Sequence, residues 1–535
     1  MSEQRGRRSF WTWGWQSDEP SQAEREEMAQ QLSANYGREV KAPPIPLIDD
    51  IELRDPRLKV PDTLAEIVTC DKTERIIHTY GGHFLELNRA LKGDFAEPPD
   101  AVAYPANETE LESVLDWCDS HSFAVIPYGG GTTVVNGVSI PATVSGAVTI
   151  DLERLNQVLE VDEISLAARI QAGIFGPDLE SALRPQGFTL RHFPQSFPWS
   201  TLGGWIVTRS GGHYATNHTH IDDFVESMRM LTPSGWWESR RLPGSGAGPS
   251  PDRMIMGSEG TLGIVTEAWM RIQRRPTFRA SAGVLFPSFE SAYTACRHIA
   301  QAKLWPANLR LLDPSEASRA AGLDGKQALL IIGFESAEVP QGNFIQEAVK
   351  IAREYQGLIA DEDIRTSDGS GETTGREGAV GNWRSSFIGV NAGLTNGLGV
   401  VGDTFETAIT WDRWPEFDAV VREEVTKVLN EVFNGAGTLS CRFTHVYTDG
   451  PAPYYTFSGL STPGGEAEQW QAIKDAASEA VIKAGGTITH HHSVGRMHRK
   501  GWSEQRPALF EAALKGAKKQ LDPNGILNPG VLFDS

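Results

Sequence analysis

Cysteine is scarce in this chain, with four in 535 residues: Cys70, Cys118, Cys296 and Cys441. They lie far apart and form no C-x-x-C pair. That excludes a cysteine-rich zinc module and offers no disulfide framework, so a reducing cytoplasmic setting is expected. Basic charge is also short: Lys and Arg total 49 against 69 Asp and Glu, a net charge of −20. Nucleic acid and anionic membrane surfaces both require positive patches, so neither is an expected partner. No apolar stretch follows the charged opening MSEQRGRR, and a secretory signal is not expected there. The longest apolar runs, such as ALLIIGF (328–334), are strand-sized, so no membrane span is expected.

What is present is a long chain of ordinary enzyme composition, 40% hydrophobic and 22% charged. Chains beyond about 250–300 residues usually divide, so two lobes, or one domain with a large cap, are expected. Residues 17–32 read as an exposed helix, and residues 62–96 as helical. From residue 100, short apolar strands such as AVTIDLERL (147–155) alternate with helices in an α+β pattern. A second texture begins near 277, with strands, amphipathic helices such as 414–435, and a hairpin around THVYTDGPAPYYTF. The glycine-rich stretch 368–383 reads as a mobile loop.

Chemistry is concentrated in glycine loops and histidines. PYGGGTTVVNG (127–137) follows an apolar strand, and its glycines let the backbone approach a ligand with several N–H groups, which suits a pyrophosphate. The pattern is neither G-x-G-x-x-G nor G-x-x-x-x-G-K-[ST], so a Rossmann site or P-loop kinase is disfavoured. GGTITHHHSVG (485–495) carries His490, His491 and His492 in a row. On an extended segment the outer two share a face and His491 points away. A metal would require more ligands, often with a carboxylate behind each histidine; no Cys, Asp or Glu stands nearby, so no metal is expected. Arg442 and His445, three apart on a strand, are expected on opposite faces. His218 and His220 in HYATNHTH read as surface residues.

Four segments occur in order: PYGGGTT, QSFPWSTLGGWIVTRSGG (195–212), MGSEGTLGIVTEA (256–268) and LDPNGILNPG (521–530). Together they resemble the FAD-binding pattern of the vanillyl-alcohol oxidase type. FWTWGW, NLRLLD, DTFETAITWDR, CRFTHVYTDGPAPYYTF and the triple histidine narrow the resemblance to alkyldihydroxyacetonephosphate synthases and their bacterial relatives. The resemblance implies an α+β fold, with a two-subdomain FAD-binding domain and a cap whose antiparallel sheet is flanked by helices. The division expected is an N-terminal helical extension (1–97), an FAD-binding domain (98–275), a cap (276–484) and a C-terminal segment returning to the FAD site (485–535).

Carried over residue by residue, the resemblance assigns cofactor contacts to Pro127, Tyr128, Gly129, Gly130, Gly131, Thr132 and Thr133. It adds Gln195, Ser196, Ser200, Thr201 and Gly204, then Thr208, Arg209, Ser210 and Gly211, and finally Glu259, Gly260, Thr261, Gly263, Ile264 and Val265. Tyr454 matches the catalytic tyrosine, with Tyr455 as the alternative, and Arg310 matches an arginine needed for activity. The resemblance places His490, His491 and His492 beside flavin and substrate. No histidine lies in the pyrophosphate loop, so noncovalent FAD is expected, in a homodimer acting on a small molecule. One departure bears on substrate. Where the synthases carry a substrate-binding arginine followed by aspartate, this chain has Ala392 and Gly393. The reading this favours is an FAD-dependent oxidoreductase that oxidises a small or aromatic alcohol or hydroxy compound, by hydride transfer to flavin N5, with the electron acceptor open. The alternative is the synthase reaction itself, redox-neutral ether-lipid formation through a flavin N5 adduct.

Overall fold

A computed structural model describes residues 6–214, 216, 220–367 and 393–533. The expected loop 368–383, Ala392 and His218 lie outside the described residues. The first lobe carries two sheets. In one, the strands Ala101–Ala103, Ala147–Asp151 and Ala124–Tyr128 run parallel, with Val68–Thr69 antiparallel at the edge. Their side chains are almost wholly buried, as expected of strands covered on both faces. The other is a five-stranded antiparallel sheet in which Ile264–Arg271 is central. The glycine loop leaves the end of Ala124–Tyr128. The C-terminal residues return here, since Val125 N–H donates to the Ile526 carbonyl (2.8 Å) and Asn528 N–H to the Val125 carbonyl (2.8 Å).

Residues 62–96 are not continuous helix. A strand at Val68–Thr69 and the Gly81–Gly82 pair divide them, leaving the helices Lys72–Ile77 and Phe84–Ala90. Glycine is the reason: Gly82 lies against the Trp13 ring, where a Cβ would come within 1.7 Å of its indole nitrogen.

The second lobe is a seven-stranded antiparallel sheet. Its strands are β1 (Phe278–Phe286), β2 (Asn308–Leu312), β3 (Ala328–Ser336), β4 (Arg365–Thr366), β5 (Val400–Glu406), β6 (Thr438–Val446) and β7 (Pro451–Leu460), in the order β4-β1-β3-β2-β6-β7-β5. One face is covered by helices. The helix Trp414–Phe433 places Phe417, Val421, Val425, Leu429 and Phe433 on the core at four-residue spacing. The helix Glu466–Lys483 crosses it with Trp470, Ile473 and Ala477. The other face of β5, β6 and β7 is turned to the first lobe, and that is where the polar side chains gather. Among the described residues no helix is long and apolar enough to cross a membrane.

Candidate active site

Sheet register assembles the site. Across β5, β7 and β6, Glu406 pairs with Tyr454 and Tyr454 with Arg442, so the three side chains share one row and one face. The Arg442 guanidinium lies 4.0 Å over the Tyr454 ring and donates to Glu316 at 2.8 Å. Tyr455 points the opposite way. It is fully buried in the cap core, stacks on Phe405 and donates to Asp418 at 2.7 Å. Of the two adjacent tyrosines, Tyr454 is therefore the one that faces the histidines.

Glu406 is the residue that sequence reading missed. Its buried carboxylate accepts from Thr489 Oγ1 (2.6 Å) and from the successive backbone N–H groups of His490 (2.6 Å), His491 (3.1 Å) and His492 (2.9 Å). Three consecutive amides converging on one anion form a nest, not a strand. The expected alternation of faces is thereby overturned. All three rings stand together, with centroids 5.4 Å apart for His490–His491 and 4.7 Å for His491–His492. His491 stacks on Tyr454 at 5.8 Å, and His492 meets the same ring edge-on at 5.4 Å.

Two further expectations are corrected. Arg442 and His445 do not lie on opposite faces, because the β6–β7 register shifts between Phe443 and His445. An extra residue at a bulge turns the next side chain over, and His445 comes within 5.1 Å of both His490 and His491. His220 is not a surface residue: its ring lies 4.7 Å from His490, held by the bridge between Gly211 and His220. Gly211 allows this meeting of lobes, since a Cβ there would come within 2.7 Å of the His445 ring. Arg310 on β2 is buried and donates to Asn308 Oδ1 (3.1 Å) and the His213 carbonyl (3.0 Å). Burial, then the like charge of Arg442, pushes its guanidinium down to about 9.

Electrostatically the site centres on one buried anion, Glu406, set among imidazoles. Burial disfavours the charge of Glu406, but His491 first, then His492 and His490, hold it well below the usual carboxylate range. Burial holds His490 and His445 well below the ordinary imidazole value, and pushes His492 down to about 3 and His220 to about 4. The Tyr454 phenol is raised by burial against the pull of Arg442, so at rest it keeps its proton. His445, His490 and His491 bring ring nitrogens within 4.8 Å of one another, and Glu406 supplies the carboxylate that the sequence reading did not find. Two of these nitrogens are already committed to each other, His490 Nδ1 and His491 Nδ1 at 3.1 Å.

These depressed values make a pH prediction. His192 is pushed down to about 3 and His498 to about 4, both by burial, like His220 and His492. Each stays neutral in the fold while it charges in the unfolded chain below about 6.5. Stability is therefore full above about 6.5 and falls as pH drops towards the folded values, by about 1.4 kcal/mol per pH unit for each group. Thermal melts across that window should decline from about pH 6.5 downward; a flat profile to pH 4.5 would contradict the burial of these rings.

Glycine lines the nucleotide end. A cleft of roughly 420 Å³ empty volume is bounded by Pro127, Tyr128, Gly129, Thr201, Gly204, Glu259, Gly260, Gly263, Ile264 and Val265. Gly130 and Gly131 face an adjoining cavity under the N-terminal segment. Among the described residues Glu259 is the one acidic residue on the cleft wall. It turns its carboxylate away to the N–H groups of Val494 (2.9 Å) and Gly495 (2.8 Å), and burial pushes it up to about 7. A phosphate chain would meet little opposing charge there. Other carried-over side chains are committed elsewhere. The Thr208 and Thr261 hydroxyls donate to the Gly204 and Ser258 carbonyls, Ser196 donates to Ser200, and Arg209 pairs with Asp222. Thr132, Thr133 and Ser210 adjoin glycines, the Thr133 carbonyl accepting from Gly82 N–H at 2.7 Å, and Gln195 opens the turn 195–199.

A Cβ on Gly130 would lie 1.8 Å from the Trp199 carbonyl oxygen, a backbone atom with no freedom to yield. Gly130→Ala is expected to displace the loop and release most of the bound flavin, read as loss of yellow absorbance per mole of purified protein.

A two-lobed nucleotide-binding enzyme with a capped polar site is thus defined by geometry. Residues 99–239 match the family described as "FAD binding domain", and residues 275–532 match "FAD linked oxidases, C-terminal domain". Over 493 residues the chain is 30% identical to an alkyldihydroxyacetonephosphate synthase of Caenorhabditis elegans, covering 86% of this chain and 80% of that one. A solved alkyldihydroxyacetonephosphate synthase superposes with a TM-score of 0.76 at 25% identity, covering 92% of this chain and 89% of the other. Substrate-bound p-cresol methylhydroxylase shares the fold, with a TM-score of 0.66 at 16% identity over 88% of this chain and 94% of its own. The chain belongs to the alkyldihydroxyacetonephosphate synthase family of FAD-binding enzymes, within the vanillyl-alcohol oxidase fold. It is an FAD enzyme, and the glycine-lined cleft fits that cofactor.

Proposed function

We propose that the chain is a synthase like its relatives and catalyses a redox-neutral exchange, in which a fatty alcohol replaces the acyl group of an acylated ketone phosphate. This moves the balance away from the alcohol oxidation favoured by sequence alone. The observation that carries it is the Tyr454 row, Glu406–Tyr454–Arg442, facing three histidines in a chain similar to synthases over most of its length. When bound in the glycine-lined cleft, FAD would supply an electron-accepting ring. Tyr454 moves the proton of the reacting carbon, and Arg442 over its face eases the approach to phenolate. The imidazoles offer ring nitrogens that can donate to or accept from the substrate oxygens.

One observation favours the second reading, oxidation of an alcohol or hydroxy compound. Ala392 and Gly393 stand where the synthases carry arginine and aspartate, so a charge-assisted clamp of about 1.5–3 kcal/mol per bond is missing. The test is to mix the holoenzyme anaerobically with the acylated ketone phosphate and a labelled long-chain alcohol. Label incorporated without any electron acceptor supports exchange. Flavin bleached by an alcohol alone, and recovered with oxygen or a dye, would establish oxidation instead.

A further inference from the structure

The interior histidines have one contact that the proposed chemistry does not use. Tyr447, half-buried at the end of β6 beside the exposed Thr448 and Asp449, places its hydroxyl 2.7 Å from His490 Nε2. The other nitrogen of His490 lies 3.1 Å from His491 Nδ1, and His491 lies on Tyr454. The inner and outer ends of this chain differ in their access to solvent. Tyr454 is 5% exposed and enclosed by rings, whereas Tyr447 stands at a surface turn.

Hydrogen-bond logic fixes a direction. Glu406 lies 3.4 Å from His491 Nδ1 and accepts only, so it favours a proton on that nitrogen. His490 Nδ1, facing that N–H, is then the acceptor. A neutral imidazole with an accepting Nδ1 carries its proton on Nε2, which donates to the Tyr447 oxygen. The Tyr447 oxygen accepts that bond, so its own O–H is not used on His490. Every bond from His491 Nδ1 outward to Tyr447 is polarised the same way.

We propose that Tyr447, His490 and His491 form a proton relay between the buried site and solvent, with Tyr447 as its outer gate. A proton arriving at His491 Nε2 releases the one on Nδ1 to His490 Nδ1. His490 passes its Nε2 proton to the Tyr447 oxygen, and Tyr447 gives its own to water. One proton enters, one leaves, and no member ends charged. Running backwards, the same chain returns a proton. That matters because the exchange reaction, on which this use of the relay rests, must remove a proton from carbon and later restore one. Tyr447 acts here as a positioning and relay residue and does not touch the reacting atoms.

The test does not depend on turnover. Holoenzyme selectively labelled with ¹⁵N-histidine is followed by NMR, reading the exchange of the His490 and His491 imidazole N–H protons with water. Tyr447→Phe is expected to slow that exchange at least about tenfold, the loss of one exchange path, with melting temperature and FAD content unchanged. Tyr447→Gln preserves a hydrogen bond to His490 but its accepting oxygen cannot take one proton and release another, so it should be as slow as the phenylalanine variant. Wild-type exchange in Tyr447→Phe, or fast exchange restored by Tyr447→Gln, would overturn the relay. Absence of alcohol incorporation in the wild type would count only against the exchange reaction, because the proton readout is independent of it.

Discussion

Tyr454→Phe is expected to lower turnover by about 10²–10⁴-fold, the range contributed by a positioned acid–base group. FAD content and melting temperature should stay near those of the parent protein. The neighbouring Tyr455→Phe should do the reverse. It removes the hydroxyl bonded to the Asp418 carboxylate, costing about 1.5–3 kcal/mol of stability, and leaves turnover nearly intact. The two variants differ by one position, and the pleat of β7 separates their environments completely. Tyr454 lies under Arg442 and between His491 and His492; Tyr455 lies against Phe405 in the cap core. Steady-state kinetics on both, paired with flavin absorbance, decides the assignment. Equal losses in the two variants would mean that packing of β7, not the Tyr454 phenol, governs activity.

The glycine loops were legible because backbone approach leaves a local signature. Gly129, Gly204, Gly260 and Gly263 lie within a few residues of the strands or helix that present them, and all line the cleft. Tyr454 and the histidines were legible as motifs. Their arrangement was not, because it depends on register between distant segments. Glu406 precedes the histidine run by more than eighty residues, and only the β5–β7 pairing opposite Tyr454 brings it under their amides. The bulge that turns His445 towards Arg442's side of β6 has no marker in CRFTHVY. The position of His220 beside His490 follows from contact between lobes, which no local pattern encodes. The same holds for the N-terminal tryptophans. FWTWGW was recognisable as a family opening, but the contact of Trp13 with Gly82 required the fold.

The missed carboxylate makes the second large prediction. Glu406 holds Thr489 and the amides of His490, His491 and His492, all buried or half-buried. Glu406→Gln keeps the shape but replaces one accepting oxygen with an NH₂ group. That donor then faces other donors, so at least one amide loses its partner and the nest loses its anion. Breaking a buried charged network in this way costs about 3–5 kcal/mol, which should appear as a lower urea midpoint. The catalytic effect should exceed the loss explained by unfolding. At temperatures where the variant is folded, released amides no longer fix the three rings around Tyr454, and turnover should fall at least about 10²-fold, since small misplacements of reacting groups carry such costs. Glu406→Asp separates charge from reach: the anion remains but is one methylene too far back to meet all three amides. It should recover part of the stability and little of the activity. If Glu406→Gln were as stable and as active as the parent, the histidines would be held by their own packing, and the row across β5, β7 and β6 would be a structural coincidence.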